Sequence, residues 1–476
     1  MRKQWLQKVV TICLAGVLLG GCAEKKVDYQ LEKGQTNQEK NTDTGSLEKL
    51  KTAEKWNDTW TLKDAAGEKV DVSIDADVTV PDVESMSVVE AIQTPMDATF
   101  KEQILKAFFQ ESDIYYYDIP HRSKEELEQE ITSQEKMIQI HEENLEKVTN
   151  EDTKEYVNDN LDEAKKMLEQ CQKALLTASD TRTKAESYAA CNEYLGFINE
   201  IPYYVYFSTD EIPEVHIQMG YPYDTISASD DAPETLKDKS HVNFYSDTDT
   251  SGAPITEKKT DTELENTCSI SQKDAKAQAE QLLTKMGLGE KVCTSQSPIL
   301  WDGYNDTDSA DEESDLETVP YGYFFRFGTG VNNIAFSSFG MATDYILAGN
   351  GASAAGIPNE LSDDIRVYVT DKGVISIDIL NPITVTKVTN QVEILPLSTI
   401  QELMKNEVSE HPEKYDFKEY RYMTDMELIY FPVRDKENSS KLSYLPVWRL
   451  SSQHYINPVL INGIDGSVIY LDDLLS

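Results

Sequence analysis

The chain has 476 residues, with 85 Asp or Glu against 44 Lys or Arg and a formal charge of -41. So negative a balance repels phosphate backbones and anionic headgroups, which excludes nucleic acid and a lipid surface as electrostatic partners. The length allows more than one core, with about three domains as a starting expectation.

Arg2, Lys3 and Lys8 open the chain, residues 9–19 are apolar or small, and Leu19-Gly20-Gly21-Cys22 closes the segment. A basic start, a short apolar run and small residues at the cut make an export signal, too short for a spanning helix. With a cysteine directly after Gly21, the segment resembles a bacterial lipoprotein signal. The resemblance implies that residues 1–21 are removed, that the Cys22 thiol carries a diacylglyceryl group, and that the mature chain sits on the extracytoplasmic face of the cell membrane. Loss of three basic residues and no acidic one would take the charge from -41 to -44. No other stretch approaches the roughly 18 apolar residues that a second span needs. Residues 22–50 are rich in Lys, Glu, Gln, Asn and Thr, so they are expected to form a flexible tether, spanning on the order of 30 Å as a coil.

An N-terminal α+β domain is expected over residues 51–223. Val70, Val72, Ile74, Ala76 and Val78 alternate with Asp71, Ser73, Asp75, Asp77 and Thr79, the period of a half-buried strand. Trp60 and Leu62 belong to an earlier strand, turned at Ala65-Ala66-Gly67. Thr99 and Glu102 form a capping box ahead of a helix carrying Phe100, Ile104 and Phe108. A strand at 114–117 follows. Ser123 and Glu126 cap the next helix, with a seam of Leu127, Ile131, Gln134, Ile138, His141, Leu145 and Val148 in alternating fours and threes. After a break at Thr149-Asn150-Glu151, Asp152 and Glu155 cap a helix with the seam Val157, Leu161, Ala164, Leu168, Cys171 and Leu175. A turn this short predicts an inserted antiparallel helical hairpin over 123–176. His141 reads as a tolerated polar residue in that seam. Strands at 201–207 and 214–219 complete the unit.

A polar linker is expected at 224–267. Beyond it one plan occurs twice, over 268–392 and 393–476. Ser271 and Asp274 open a helix with Ala275, Ala279, Leu282, Leu283 and Met286 on one face, stopped by Gly287. Strands are predicted at 322–327, 333–336, 365–369 and 374–379, the last two joined by Asp371-Lys372-Gly373. Ser398 and Gln401 cap the second helix, which carries Ile400, Leu403, Met404 and Val408. Strands follow at 428–433, 445–450, 458–462 and 467–471, with Gly463-Ile464-Asp465-Gly466 as the last turn. A helix and strand meander ending in such an Asp-Gly turn resembles the PepSY-like modules of exported bacterial proteins. The N-terminal half is similar to uncharacterised Gram-positive lipoproteins. The fold class is therefore α+β, with antiparallel sheets, packed helices, the hairpin and two C-terminal helix-plus-meander repeats.

Candidate sites are few. Gly349 to Ala354 outlines a dinucleotide loop, and Ser353 a nucleophile elbow, but Gly356 and Pro358 remove the helix that either needs. Asp247 and Asp249, and Asp306, Asp308 and Glu317, are weak calcium candidates, since each loop fails an EF-hand position. No histidine has metal-ligand spacing, and the tyrosines read as sheet-covering residues. Four thiols remain besides Cys13 and Cys22; Cys268 and Cys293 bracket one helix and could pair, while Cys171 belongs to the helical seam. No cofactor is expected. PepSY-like modules generally lack catalytic residues, so the resemblance implies a non-enzymatic, lipid-anchored protein that binds or regulates another exported or membrane protein. The alternatives from other classes are a calcium- or glycan-binding surface module and an unrecognised hydrolase.

Overall fold

The computed structural model describes residues 55–63, 67–148, 150–189, 191–208, 213–221, 233–236, 241–246, 266–304, 317–336, 363–414, 422–434, 441–451 and 458–470. The expected signal and tether lie outside them. The strands β1 (Lys55–Lys63) and β2 (Lys69–Thr79) form a hairpin, and the alternation along β2 buries Val70, Val72, Ile74 and Ala76 as read from the sequence. After β3 (Met86–Gln93), helix α1 (Ala98–Phe109) turns Phe100, Ile104, Leu105, Phe108 and Phe109 inward. Its N-cap is Asp97, whose carboxylate accepts the Phe100 N–H at 2.9 Å, rather than the expected Thr99. Asp97 wins because its carboxylate reaches the N3 amide from the capping position.

The strand β4 (Ile114–Tyr116) precedes the helical hairpin, α2 (Lys124–Lys147) and α3 (Glu151–Leu175). The Ser123–Glu126 capping box is formed, and both predicted seams are the buried or half-buried faces. The chain returns through β5 (Glu193–Ile198), β6 (Ile201–Ser208) and β7 (Glu214–Met219). The next elements are β8 (His241–Ser246), α4 (Gln272–Lys285), β9 (Lys291–Tyr304), β10 (Glu317–Val331), β11 (Ile334–Ala335), β12 (Asp364–Thr370), β13 (Gly373–Leu380) and β14 (Ile383–Val392). Helix α5 (Leu397–Glu410) is capped at Pro396 with no side-chain hydrogen bond, two residues before the expected cap Ser398. The last strands are β15 (Tyr422–Arg434), β16 (Lys441–Ser451), β17 (Val459–Asn462) and β18 (Val468–Ile469).

The molecule is α+β, with helices on two mostly antiparallel sheets. The two C-terminal helix-plus-meander repeats are present, and the plan occurs a third time in the N-terminal half. α4 is followed by β9, β10, β12 and β13, and α5 by β15 to β18, each strand antiparallel to the one before. The same order is present in α1, β4, β5, β6 and β7, where the hairpin is inserted after the first strand. The first two meanders join through their last strands, β7 against β13, in one sheet ordered β4-β5-β6-β7-β13-β12-β10-β9-β8. Helices α1 and α4 pack side by side on one face of that joint sheet, over Val205, Val215, Ile217, Ile377, Ile379, Phe325 and Phe327.

The second sheet draws on both ends of the chain. β2 lies parallel to β15, so β1 and β2 extend the third meander, and β3 pairs with both β16 and β14. Strand pairing thus crosses the boundaries read from the sequence: part of 51–223 belongs to each sheet. The physical reason is that β2 and β15 carry no local signal of one another. Parallel pairing needs a crossover, and here that crossover is most of the chain.

Cys268 and Cys293 do not form the expected bridge; both are free thiols. Helix α4 has 14 residues, about 21 Å at 1.5 Å per residue. Cys268 stays at its N-terminal end, while β9 begins at the far end and holds Cys293 there. The Cys293 thiol donates to the Ser295 carbonyl at 3.4 Å. Burial, then the Asp371 carboxylate, pushes the Cys268 thiol up to about 11.

Candidate functional site

The joint sheet has one face under α1 and α4, and alternation places the other residues of each strand on the opposite face. Cross-strand pairing aligns Arg326, Arg366, Asp378, His216, Tyr206 and Glu193 in one row across five strands and onto a sixth. At its centre, where the two meanders meet, His216 Nδ1 lies 2.5 Å from Asp378 Oδ1, and Nε2 lies 2.8 Å from Gln218 Oε1. Burial alone would lower the His216 pKa, but Asp378, Gln218 and Glu214 outweigh it and the net shift is upward. Burial pushes the neighbouring Glu214 carboxyl up as well.

This dyad is not arranged for nucleophilic catalysis. A general base needs a free nitrogen aimed at a hydroxyl or thiol, and both ring nitrogens of His216 are engaged by Asp378 and Gln218. Further along the row, Asp364 accepts from Arg326 at 2.6 and 3.0 Å and from Arg366 at 3.0 Å. The row is a set of mutually satisfied charges. Two shallow depressions, one lined by Thr61 to Lys63 with Lys69 and Asp71, the other on the outer surface of α4, do not touch it.

At its other end the row runs into the root of the helical hairpin. The Arg122 side chain is 2% exposed and donates to the Tyr117 carbonyl at 2.7 Å, to Glu130 at 3.1 Å and to Glu193 at 3.4 Å. Its guanidinium also lies 4.3 Å from the Tyr117 ring centre. Burial pushes the Glu193 carboxyl up against the pull of Arg122. Glu126 accepts from Ser123 and, at 2.6 Å, from Arg182, which donates in turn to the Tyr221 hydroxyl and lies over the Phe197 ring. Around this cluster the Tyr117 ring packs edge to face with Tyr204 and at a tilt with Tyr221. The tyrosines here cover the sheet and brace the hairpin, as their strand spacing implies.

Beyond the root, Lys165 of α3 reaches Glu142 of α2 at 3.1 Å, the α3 seam stays buried at Val157, Leu161 and Ala164, and the α2 seam is half-buried at Ile138, His141 and Leu145. Among the described residues, five large apolar side chains are exposed, and four of them are on or just after the hairpin: Met137, Ile140, Tyr156 and Leu176. Met137 and Ile140 stand one turn apart on a flank of α2 outside its seam. The fifth is Val388 on β14.

Of the residues singled out in the sequence, Cys22, the Gly349 to Ala354 loop with Ser353, and Asp247, Asp249, Asp306 and Asp308 lie outside the described residues. Glu317 is the first residue of β10. No group of three His, Cys, Asp or Glu among the described residues is placed to hold a metal. Sequence reasoning missed the His216–Asp378 pair, whose members are 162 residues apart, and the Arg122 cluster. Arg122 had one usable signal: a basic residue directly before a capping box whose first turns carry Glu126 and Glu130.

No family model matches this chain, and no curated protein matches it. Among solved structures, it is similar to an uncharacterized protein from Eubacterium rectale, at 12% identity over 90% of this chain and 99% of that one, with a TM-score of 0.36.

Proposed function

We propose that this chain is a lipid-anchored extracytoplasmic protein that binds or regulates another exported or membrane protein, without catalysis, and that the helical hairpin is its contact surface. One observation carries the reading: exposed large apolar side chains are concentrated on the hairpin, which a buried ionic root fixes to the sheet. Apolar side chains clustered away from the core mark interaction surfaces. Residues 124–175 carry 15 Asp or Glu and 7 Lys, so the complementary partner segment is apolar with basic flanks. The PepSY-like resemblance and the lipoprotein-type signal agree with a role outside the cytoplasm, tethered through Cys22.

Two measurements test the parts separately. Cys22→Ala is expected to move the protein from the membrane fraction into the medium or leave it uncleaved, because stable anchoring needs two acyl chains; correct cleavage with full membrane retention would refute the anchor. A photo-crosslinker at Ile140 or Tyr156 is expected to capture one discrete partner in intact cells, whereas one at Glu280 on α4 does not. Equal labelling from all three positions would remove the hairpin as the contact surface.

A further inference from the structure

Three adjacent strands of the second meander bring a lysine, a threonine and an aspartate together on the core-facing side. Lys291 on β9 is paired directly with Thr329 on β10, and Asp363 immediately precedes β12 on the other side. Thr329 follows Phe325 and Phe327 in alternation, and Asp363 precedes Ile365 and Val367, so both point where those core residues point. The side chains of Lys291 and Asp363 are only 4% and 3% exposed, and Nζ lies 2.7 Å from Oδ2. Thr329 is itself 1% exposed.

We infer that Lys291 and Asp363 condense to an intramolecular amide, with Thr329 as the group that relays the proton. The hydrogen bonds already have that arrangement. Lys291 Nζ donates to Thr329 Oγ1, and Thr329 Oγ1 donates to Asp363 Oδ2 at 2.5 Å. The other carboxylate oxygen, Oδ1, accepts the Thr329 backbone N–H at 2.8 Å. That amide is the donor that would stabilise negative charge on Oδ1 as the carbon becomes tetrahedral. Proximity of this kind replaces a bimolecular encounter with a fixed one.

The step balances without any outside reagent. The first proton passes from Nζ to Asp363 Oδ2, which leaves the amine and the acid uncharged for the attack. The Nζ lone pair then forms a bond to Asp363 Cγ. A second proton leaves Nζ through the Thr329 hydroxyl to Oδ2, the Cγ–Oδ2 bond breaks, and Oδ2 departs as water with both protons. One N–H remains on the new amide and can still donate to Thr329 Oγ1, while its carbonyl keeps the Thr329 N–H. Condensation thus removes two buried charges and leaves each polar atom partnered. The nearby Tyr444 phenol reports the same dryness: burial, then the Asp363 charge, pushes its pKa upward.

Trypsin and mass spectrometry on the purified full-length protein decide the matter. An amide at Lys291 blocks cleavage there, so segment 286–326 is expected joined to segment 327–366, at a mass lower than their sum by one water. Lys291→Arg, which keeps the ion pair but lacks a nucleophilic amine, is expected to give 286–291, 292–326 and 327–366 as unlinked peptides from a folded protein. Thr329→Val is expected to slow linkage by roughly 100-fold, the scale of a general acid–base contribution. Recovery of 286–291, 292–326 and 327–366 as separate unmodified peptides from the unsubstituted protein would overturn the inference and leave a plain buried ion pair. Full linkage in Thr329→Val would overturn the relay.

Discussion

The hairpin and the meanders bury their apolar residues in opposite ways. In the third meander, all four residues of β17 are buried, and Val447, Trp448 and Tyr444 of β16 are completely enclosed. Each depends on partners far away in sequence, including β3 and, through β15, the N-terminal β2. The hairpin closes its seam within residues 123–176, and much of it is only half-buried: Ile131, Ile138, His141, Leu145 and Leu168. Its most enclosed seam residues are Leu127 and Cys171 near the root, while Val157, Leu161 and Ala164 of α3 stay buried further out. The meanders are therefore cooperative across the sheet. The hairpin is a locally closed lever whose coupling to the sheet runs through charges.

The largest effect should come from cutting the cooperative region. Truncation before Ile461 removes Ile461, Asn462 and Ile469, all 6% exposed or less, and uncovers the edge of β16 at Val447 and Trp448. Each buried aliphatic side chain contributes about 1.5–3 kcal/mol, and an exposed hydrophobic edge invites aggregation. Limited proteolysis should find the third meander digested, together with β1 and β2. Survival of that sheet with an unchanged melting curve would mean that its strands are not cooperative.

Next is the root. Arg122→Met leaves Glu130 buried with its cation gone, a change expected to destabilise by about 3–5 kcal/mol, read from denaturant midpoints. Arg122→Met with Glu130→Met together should recover most of that loss, since a matched apolar pair replaces a matched ionic one. The same reasoning sets how much of the hairpin can be removed. Replacing residues 135–166 by a short Gly-Ser linker keeps the root and should leave the sheet's stability unchanged. Replacing 124–175 also takes Glu126 from Arg182 and Glu130 from Arg122, and should cost as much as the single root substitution or more. Equal stability of both deletions would show that the root does not couple hairpin to sheet.

The row at the junction of the two meanders gives a pH-dependent version of the comparison. The His216 pKa is raised in the folded state, so its contribution is fully present below the unfolded value of about 6.5 and is lost as pH rises through the folded value. Asp378 and Glu214 face the ring as acids, Gln218 as an acceptor, and Arg366 on β12 is the opposing cation across from Asp378. Stability of the joint sheet should therefore fall on going from pH 6 to pH 8 in the wild type and flatten in Asp378→Asn. An identical pH slope in both proteins would rule His216 out as its source.

How much of this was legible follows from which interactions are local. The hairpin was read almost residue by residue, because its capping box and seams are set by spacings of three and four. The helices α1, α4 and α5 were equally plain. The first copy of the meander plan was not, since the hairpin separates β4 from β5 and hides the repeat. β9 opens Lys-Val-Cys-Thr-Ser-Gln-Ser, five of seven residues polar, so its first half shows no apolar alternation that would mark a strand. The polar row was invisible for a similar reason. His216 is an ordinary residue in an alternating strand until β13 supplies Asp378, 162 residues further on. Lys291 and Asp363 likewise take their meaning from partners that only the folded sheet brings near.

The smallest expected change in stability is at the exposed end of the lever, and that is what makes it diagnostic. Met137, Ile140 and Tyr156 are 40%, 39% and 66% exposed, so Met137→Ser, Ile140→Ser and Tyr156→Ser should each shift stability by less than about 0.5 kcal/mol. Nothing in the seam is touched, and serine lowers helix propensity only by a few tenths of a kcal/mol. If the hairpin is a contact surface, the same triple variant should lose the crosslinked partner while its melting curve superimposes on that of the wild type. If the melting curve drops by several degrees instead, these side chains pack against the hairpin's own seam. The shaft would then be a structural prop, and the comparison between a cooperative body and a free lever would fail at its outer end.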